Sequence, residues 1–279
     1  MKKCEIYAVI VAGGKGLRMD SEIRKQYIEI SGISVLARTL ELFSRFKSFS
    51  NIVLVIPEGD MQYCFENIIL SQGLDGKICM VSGGSERQHS VMNGLKKVRD
   101  LSCSQKPIRS INDSCYQKNM GEYSGCWNTK QNGDIAYVSD KSKLKIVLIH
   151  DGVRPFVDHN IITRCIEGAL EYGACIPVVP VVDTLKRKDS NGFAANLVDR
   201  KNLYQVQTPQ AFDLDLILKA HEQALSSGIS ATDDSSLVEL IGKKVFMTSG
   251  SVRNIKITTK DDLLLAEYMI SMGTKGYSY

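Results

Sequence analysis

The sequence predicts a doubly wound α/β fold with a mostly parallel sheet, and three observations carry that expectation. Apolar runs at 6–11, 52–56, 78–81, 145–149 and 174–179 do not alternate, which is the pattern of strands covered on both faces. Between them apolar residues recur at helical spacing, as in Val35, Leu36, Leu40, Phe43 and Phe46. The first run passes directly into Ala12, Gly13, Gly14, Lys15 and Gly16, so a glycine loop sits at a strand's C-terminal end, where open α/β sheets bind ligands.

Glycines in that place let backbone N–H groups approach phosphate oxygens that a Cβ would hold off. Arg18, Arg24 and Lys25 bring cationic charge to the same mouth. Two better-known loops do not fit: Met19 stands where the dinucleotide fingerprint needs a third glycine, and Leu17 follows Gly16 where the Walker loop needs lysine. A glycine turn alone also serves as a tight strand-to-helix connection. The glycine triple with Arg18 and Lys25 suits a polyphosphate, which needs backbone donors and fixed cations together.

Along the chain, Cys64, Phe65, Ile68 and Ile69 mark the helix after the second strand. The third strand ends in Gly83 and Gly84, with Ser85 as the expected N-cap of a helix carrying Val91, Leu95 and Val98. Ser90 lies in the same segment. From about Asp100 to Lys143 the periodicity disappears, and Ser, Asn, Gln, Lys and Gly dominate around the only tryptophan, Trp127. The stretch 100–143 reads as an insert, at least partly disordered. Cys103, Cys115 and Cys126 within it lack the partners of a metal knuckle.

Order returns with the strand at 145–149, which runs into His150, Asp151, Gly152, Val153, Arg154 and Pro155. Asp151 is either a metal-facing or hydroxyl-binding carboxylate or a turn carboxylate paired with Arg154. After the strand at 174–179, two extended runs about Ser190, Asn191 and Gly192 look like a hairpin arm over 182–209. Helical patterns follow at Leu214, Ile217 and Leu218 and after Thr232 and Asp233. Strands are expected at 244–247 and 254–258 before a last helix through Leu263 and Met269.

The chain has 279 residues, a hydrophobic fraction of 43% and a charged fraction of 24%, enough for one large core. The whole of 1–279 is read as a single domain. A net charge of +4, with no basic stripe, suits anionic small molecules and not nucleic acid. No apolar run approaches the ~20 residues of a membrane helix. Eight cysteines without a CxxC pair fit a reduced, cytoplasmic protein with no zinc site.

Taken in order, these islands resemble the 2-C-methyl-D-erythritol 4-phosphate cytidylyltransferase family of non-mevalonate isoprenoid biosynthesis. The matching pieces are 12–19, 25–27, 83–87 with Ser90, 150–155, 183–187, 198–200, 207–212, Thr232 with Asp233, and 254–256. They cover almost the whole chain apart from the insert, and their shared order is far more specific than any one of them. The resemblance implies a doubly wound nucleotide-binding domain whose β-arm embraces a second subunit of a homodimer. It also implies transfer of CMP from CTP to a sugar-alcohol phosphate, with release of pyrophosphate.

By that resemblance Arg18, Lys25 and Lys256 are catalytic. Ala12, Gly13, Gly14, Gly16, Gly83, Ser85 and Ser90 bind the nucleotide. Asp151, Thr184, Arg200, Thr208 and Thr232 hold the second substrate. Ser85 stands where the family commonly has an aspartate. Mg²⁺ or another divalent cation is implied, held mainly by the CTP phosphates and by no certain protein ligand. An acceptor phosphate oxygen attacks the α-phosphorus in line and needs no general base, so placement and charge stabilisation carry catalysis. D-ribitol 5-phosphate cytidylyltransferases share the glycine loop and the 207–210 run, but 183–187 and 198–200 look more like the erythritol enzymes. A nucleotide-binding module without catalysis is the reading from another class, and Arg18, Lys25 and Lys256 argue against it.

Overall fold

The computed structural model describes residues 4–14, 24–74, 76–103 and 144–273. Its first part runs β1 (Cys4–Val11), β2 (Glu29–Ile30), β3 (Ile33–Ser34), α1 (Val35–Arg45) and β4 (Phe49–Ile56). The short α2 (Met61–Cys64) continues into a π-helical turn, Phe65–Leu70, before β5 (Ile78–Ser82) and α3 (Arg87–Cys103). The later part holds β6 (Leu144–Asp151), α4 (His159–Tyr172), β7 (Ala174–Pro180), β8 (Leu185–Lys188), β9 (Ala194–Val198), β10 (Tyr204–Val206) and β11 (Gln210–Asp213). It closes with α5 (Leu214–Ser226), α6 (Asp234–Leu240), β12 (Phe246–Ser249) and α7 (Lys260–Gly273).

The main sheet runs β5-β4-β1-β6-β11-β7, with β12 on the far side of β7. β5, β4, β1 and β6 are parallel to one another. β11 is antiparallel to both β6 and β7, and β10 continues its line antiparallel to β7. The result is a mixed, mostly parallel α/β sheet. Its strands read as unbroken apolar runs because each side of the sheet is packed. From β1, Ala8 and Ile10 enter one core with Leu36, Leu40 and Phe43 of α1 and Ile161 and Ile162 of α4. Tyr7 and Val9 enter the other with Val91, Leu95 and Val98 of α3 and Leu214 and Ile217 of α5. A Cβ on Gly94 of α3 would stand 2.5 Å from Val9 Cγ1, so only glycine lets that helix lie so close to the sheet.

Four expectations differ from the structure. The helix expected to start on a Ser85 cap begins at Arg87, and the Ser85 hydroxyl instead lies 2.9 Å from His89 Nδ1. α3 runs to Cys103, so the first residues of the stretch 100–143 are helical; 104–143 lie outside the described residues. Residues 254–258, expected as a strand, open on a bend at Asn254, form no regular element and belong to no sheet. Of the run 182–209, β8 and β9 form a separate two-stranded hairpin, while β10 joins the main sheet. Asp189 shapes the hairpin turn by accepting the N–H groups of Asn191 and Phe193 at 2.9 and 2.8 Å.

Candidate active site

β1, β5 and β6 deliver their C-terminal ends to one edge of the sheet, and the polar residues gather there. Ala12 N–H donates to Val55 O of β4 at 2.8 Å, and Gly152 N–H donates to Val11 O at 2.9 Å, so the glycine loop leaves the sheet along a fixed path. Ser90, buried at the start of α3, ties two glycine segments together. Its hydroxyl accepts the Gly84 N–H at 3.0 Å, and a Cβ would reach it at 3.4 Å from Gly13 and at 3.1 Å from Gly83. Side chains there would press on the Ser90 hydroxyl, so glycine at both places lets the two segments close around it. The turn carrying Lys25 is pinned to the same edge, because Gln26 Nε2 donates to Ala12 O at 2.9 Å.

Asp151, the last residue of β6, is the centre of charge. Lys256 Nζ lies 2.8 Å from its Oδ2, Arg87 Nε 3.6 Å from its Oδ1, and Arg154 Nε 3.6 Å from its Oδ2. Burial raises the cost of ionising Asp151, but Lys256 and Arg87 overcome it and hold the carboxyl below the usual carboxylate range. Arg87 also pairs with Asp234 at the start of α6, Nη2 to Oδ2 at 2.8 Å. His221 of α5 stands behind Asp234, with its Nε2 3.1 Å from Oδ1. Three cations thus gather about Asp151 and Asp234, with the charge of Asp233 also felt by Arg87.

The backbone beneath Asp151 is fixed by His150 and Thr208. Thr208 Oγ1 accepts the Asp151 N–H at 3.1 Å and lies 3.1 Å from His150 Nδ1. His150 Nε2 faces Arg154 O at 3.1 Å, which only accepts, so Nε2 carries the proton and Nδ1 takes that of Thr208. Burial pulls His150 down to about 4 despite the neighbouring Asp151.

Lys256 arrives on a segment without ladder partners, held by side chains. Asn254, wholly buried, donates Nδ2 to Thr208 O at 2.9 Å, and Arg154 Nη1 donates to Asn254 O at 2.7 Å. Gln207 Nε2 reaches Ser251 O at 2.8 Å. On the other side Ile257 N–H donates to Val153 O at 2.9 Å, and its side chain packs with Ile30, Val35 and Ala266.

Of the residues expected at the site, Ala12, Gly13, Gly83, Ser90, Asp151, Thr208 and Lys256 meet in this region, with Gly14 and Lys25 alongside. Ser85 is exposed beside His89. Gly16 and Arg18 lie outside the described residues. Thr184 and Arg200 stand apart at the base of the hairpin, where Arg200 Nη1 donates to Val182 O. Thr232 is exposed just before Asp233, which caps α6 by accepting Ser236 N–H at 3.1 Å and receives Gln210 Nε2 at 2.7 Å. Sequence reasoning gave no role to Arg87, His150, Asn254, His221 or Asp234, and read Arg154 only as a turn partner of Asp151, a pairing the structure shows at 3.6 Å. Arg87, His150 and Asn254 sit inside matched motifs, which was the available signal. His221 and Asp234 had none.

Among the described residues no group of three His, Cys, Asp or Glu side chains could hold a metal ion. No described helix is long and apolar enough to cross a membrane.

A family model described as 2-C-methyl-D-erythritol 4-phosphate cytidylyltransferase matches residues 6–104 and 131–272. The chain is 39% identical to a protein of that name from Clostridium beijerinckii, over 95% of this chain and 98% of the relative. It is 38% identical to one from Geobacillus kaustophilus over 95% and 96%. Among solved structures, a 4-diphosphocytidyl-2C-methyl-D-erythritol synthase from Anaerococcus prevotii is similar with a TM-score of 0.70 and 31% identity, covering 96% of each chain. A 2-C-methyl-D-erythritol 4-phosphate cytidylyltransferase from Thermus thermophilus gives 0.67 at 26% identity, covering 96% of this chain and 99% of that one.

Proposed function

This chain belongs to the 2-C-methyl-D-erythritol 4-phosphate cytidylyltransferase family, and from that premise we propose that it transfers CMP from CTP to 2-C-methyl-D-erythritol 4-phosphate, releasing pyrophosphate. The observation that carries the reading is the Asp151 cluster, where Arg87, Arg154 and Lys256 converge at the sheet edge that also bears the glycine segments. Two anionic substrates must be brought together for this reaction, and fixed cations beside backbone donors do that work.

In this proposal Ala12, Gly13, Gly14, Gly16, Gly83, Ser85 and Ser90 form the nucleotide side. Arg18 and Lys25 clamp the triphosphate. Lys256 faces the reacting phosphate and stabilises the charge on its equatorial oxygens as the bond to the leaving pyrophosphate lengthens. Asp151, Thr208 and Thr232 hold the acceptor from within the chain. Asp151 lies 2.8 Å from Lys256, so the acceptor's hydroxyls and the migrating phosphorus share one anchor. The carboxylate oxygens are engaged by cations, and the described residues make no cation cage. The divalent cation, Mg²⁺ or another, would therefore arrive on the CTP phosphates, where it would offset their charge.

Thr184 and Arg200 are proposed to reach the acceptor phosphate of a partner subunit. Support comes from the hairpin: Val182, Phe193 and Leu197 are 73%, 71% and 70% exposed, which is a large apolar surface to leave in water. A homodimer joined through these arms would cover it. The whole chain is proposed as one cytidylyltransferase domain in the cytoplasm. Residues 105–130, which fall between the two matched stretches, are proposed as an insert outside the catalytic unit.

The test is incubation with CTP, Mg²⁺ and either 2-C-methyl-D-erythritol 4-phosphate or D-ribitol 5-phosphate, following pyrophosphate. Release with the first acceptor alone supports the proposal. Release only with the second, or with neither, overturns it.

A further inference from the structure

Asp234 is 1% exposed at the first turn of α6, and it is anchored on every side. Its Oδ1 faces His221 Nε2 at 3.1 Å and its Oδ2 faces Arg87 Nη2 at 2.8 Å. Its own N–H donates to Gln210 Oε1 at 3.2 Å. Arg87 stands between this carboxylate and Asp151, so Asp234 cannot touch a ligand at the sheet edge except through Arg87. His221 Nδ1 is buried with no hydrogen-bond partner among the described residues, which leaves the ring one polar contact, the one to Asp234.

Asp234 is buried while the Arg87 side chain is 31% exposed, and pairing a buried carboxylate with a guanidinium is a poor way to gain stability, because desolvation offsets much of the attraction. It is a good way to fix a planar group. Arg87 has a fork of donors on a long flexible stem, and a second carboxylate behind it selects one orientation.

We propose that Asp234, backed by His221, is a positioning residue that holds the Arg87 guanidinium against Asp151 in the cytidylyl-transfer site. The inference rests on the reaction proposed above. Without Asp234, Arg87 is free to swing toward bulk water, and the charge balance around Asp151 and Lys256 changes with it.

A double-mutant cycle tests this. In the otherwise native chain, Asp234→Asn should lower kcat/KM by about tenfold or more, since small misplacements of a charge-bearing group are costly. In an Arg87→Met background the same substitution should change kcat/KM by less than about twofold, because its effect travels through Arg87. Equal losses in both backgrounds, or no loss in the first, would overturn the proposal. If Asp234→Asn does not fold, His221→Phe keeps the ring volume and removes one anchor; a smaller loss, again absent beside Arg87→Met, is expected, and an equal loss in both backgrounds counts against it. A reading independent of turnover is solvent exchange at the Arg87 Nε–H, observed by NMR. Slow exchange in the native chain and fast exchange in Asp234→Asn support the proposal even if the reaction itself proves to be another one, whereas identical exchange refutes it.

Discussion

Lys256 Nζ lies 2.8 Å from Asp151 Oδ2, although the first residue sits on an irregular segment and the second ends a central strand. The contact puts the proposed catalytic cation within reach of the proposed acceptor anchor.

Lys256→Ala and Lys25→Ala should each lower kcat by about a hundredfold while changing KM for CTP far less. A donor that strengthens as charge develops is lost from the transition state, which is typically worth ~3 kcal/mol. Unchanged turnover in either variant removes that lysine from the mechanism.

Asn254→Ala should also lower kcat, although Asn254 is placed away from the substrates. It breaks the link to Thr208 O and removes one of the two donors to Gln207 Oε1, which keeps the Ser251 N–H, at a cost of about 1–3 kcal/mol in stability. Activity measured below the unfolding transition separates the two effects. Full kcat in a folded variant would mean that Arg154, Gln207 and Ile257 hold the Lys256 segment without the Asn254 side chain.

Stability should fall between about pH 6.5 and pH 4 through His150. Its folded pKa is depressed to about 4 by burial, so in that window the unfolded chain binds the extra proton. The contribution is complete above the unfolded value and is lost as pH drops through the folded one, with an upper size of about 3 kcal/mol. Asp151 and Asp234 are held below the usual carboxylate range, so their contributions fade only at lower pH. Urea midpoints of the native chain and His150→Gln across this window provide the measurement. Equal slopes in the two proteins would remove His150 as the cause.

Mixing inactive Arg200→Ala with inactive Lys25→Ala should restore part of the activity as mixed dimers form, since one intact site then draws on both chains. An active monomer at assay concentration, or no recovery after verified subunit exchange, would place the whole site in one chain.

Replacing residues 105–130 by a short Gly/Ser linker should leave kcat within about threefold, because closure cost varies slowly with loop length. A folded but inactive variant would show that the segment takes part in the site.

The strands of the parallel half were legible because two-sided burial leaves an unbroken apolar run, as in Val53, Leu54 and Val55. β11 was not, since four residues flanked by Gln207, Thr208 and Pro209 carry no period. Residues 254–258 misled because Ile255 and Ile257 alternate like a strand, whereas the segment is held by Asn254 and by packing of Ile257. At the site, glycines and motif lysines could be found from order and spacing. The pairing of Arg87 with Asp234 could not, because an ion pair between residues far apart in sequence imposes no spacing on either.

The position of β1 also bears on how the chain is made. β1 lies between β4 and β6, so its β4 ladder can close once residue 56 has been synthesised, but its other edge waits for residues 144–151. Until then the nascent chain presents an apolar strand edge with open backbone groups, a template for pairing with other chains. The core that holds Val147, Ile149 and Phe212 closes later still, when β11 arrives. The slowest stage of folding and the stage most exposed to aggregation should therefore coincide with the arrival of β6, which makes the yield of folded protein sensitive to the rate of synthesis across the residues that precede it.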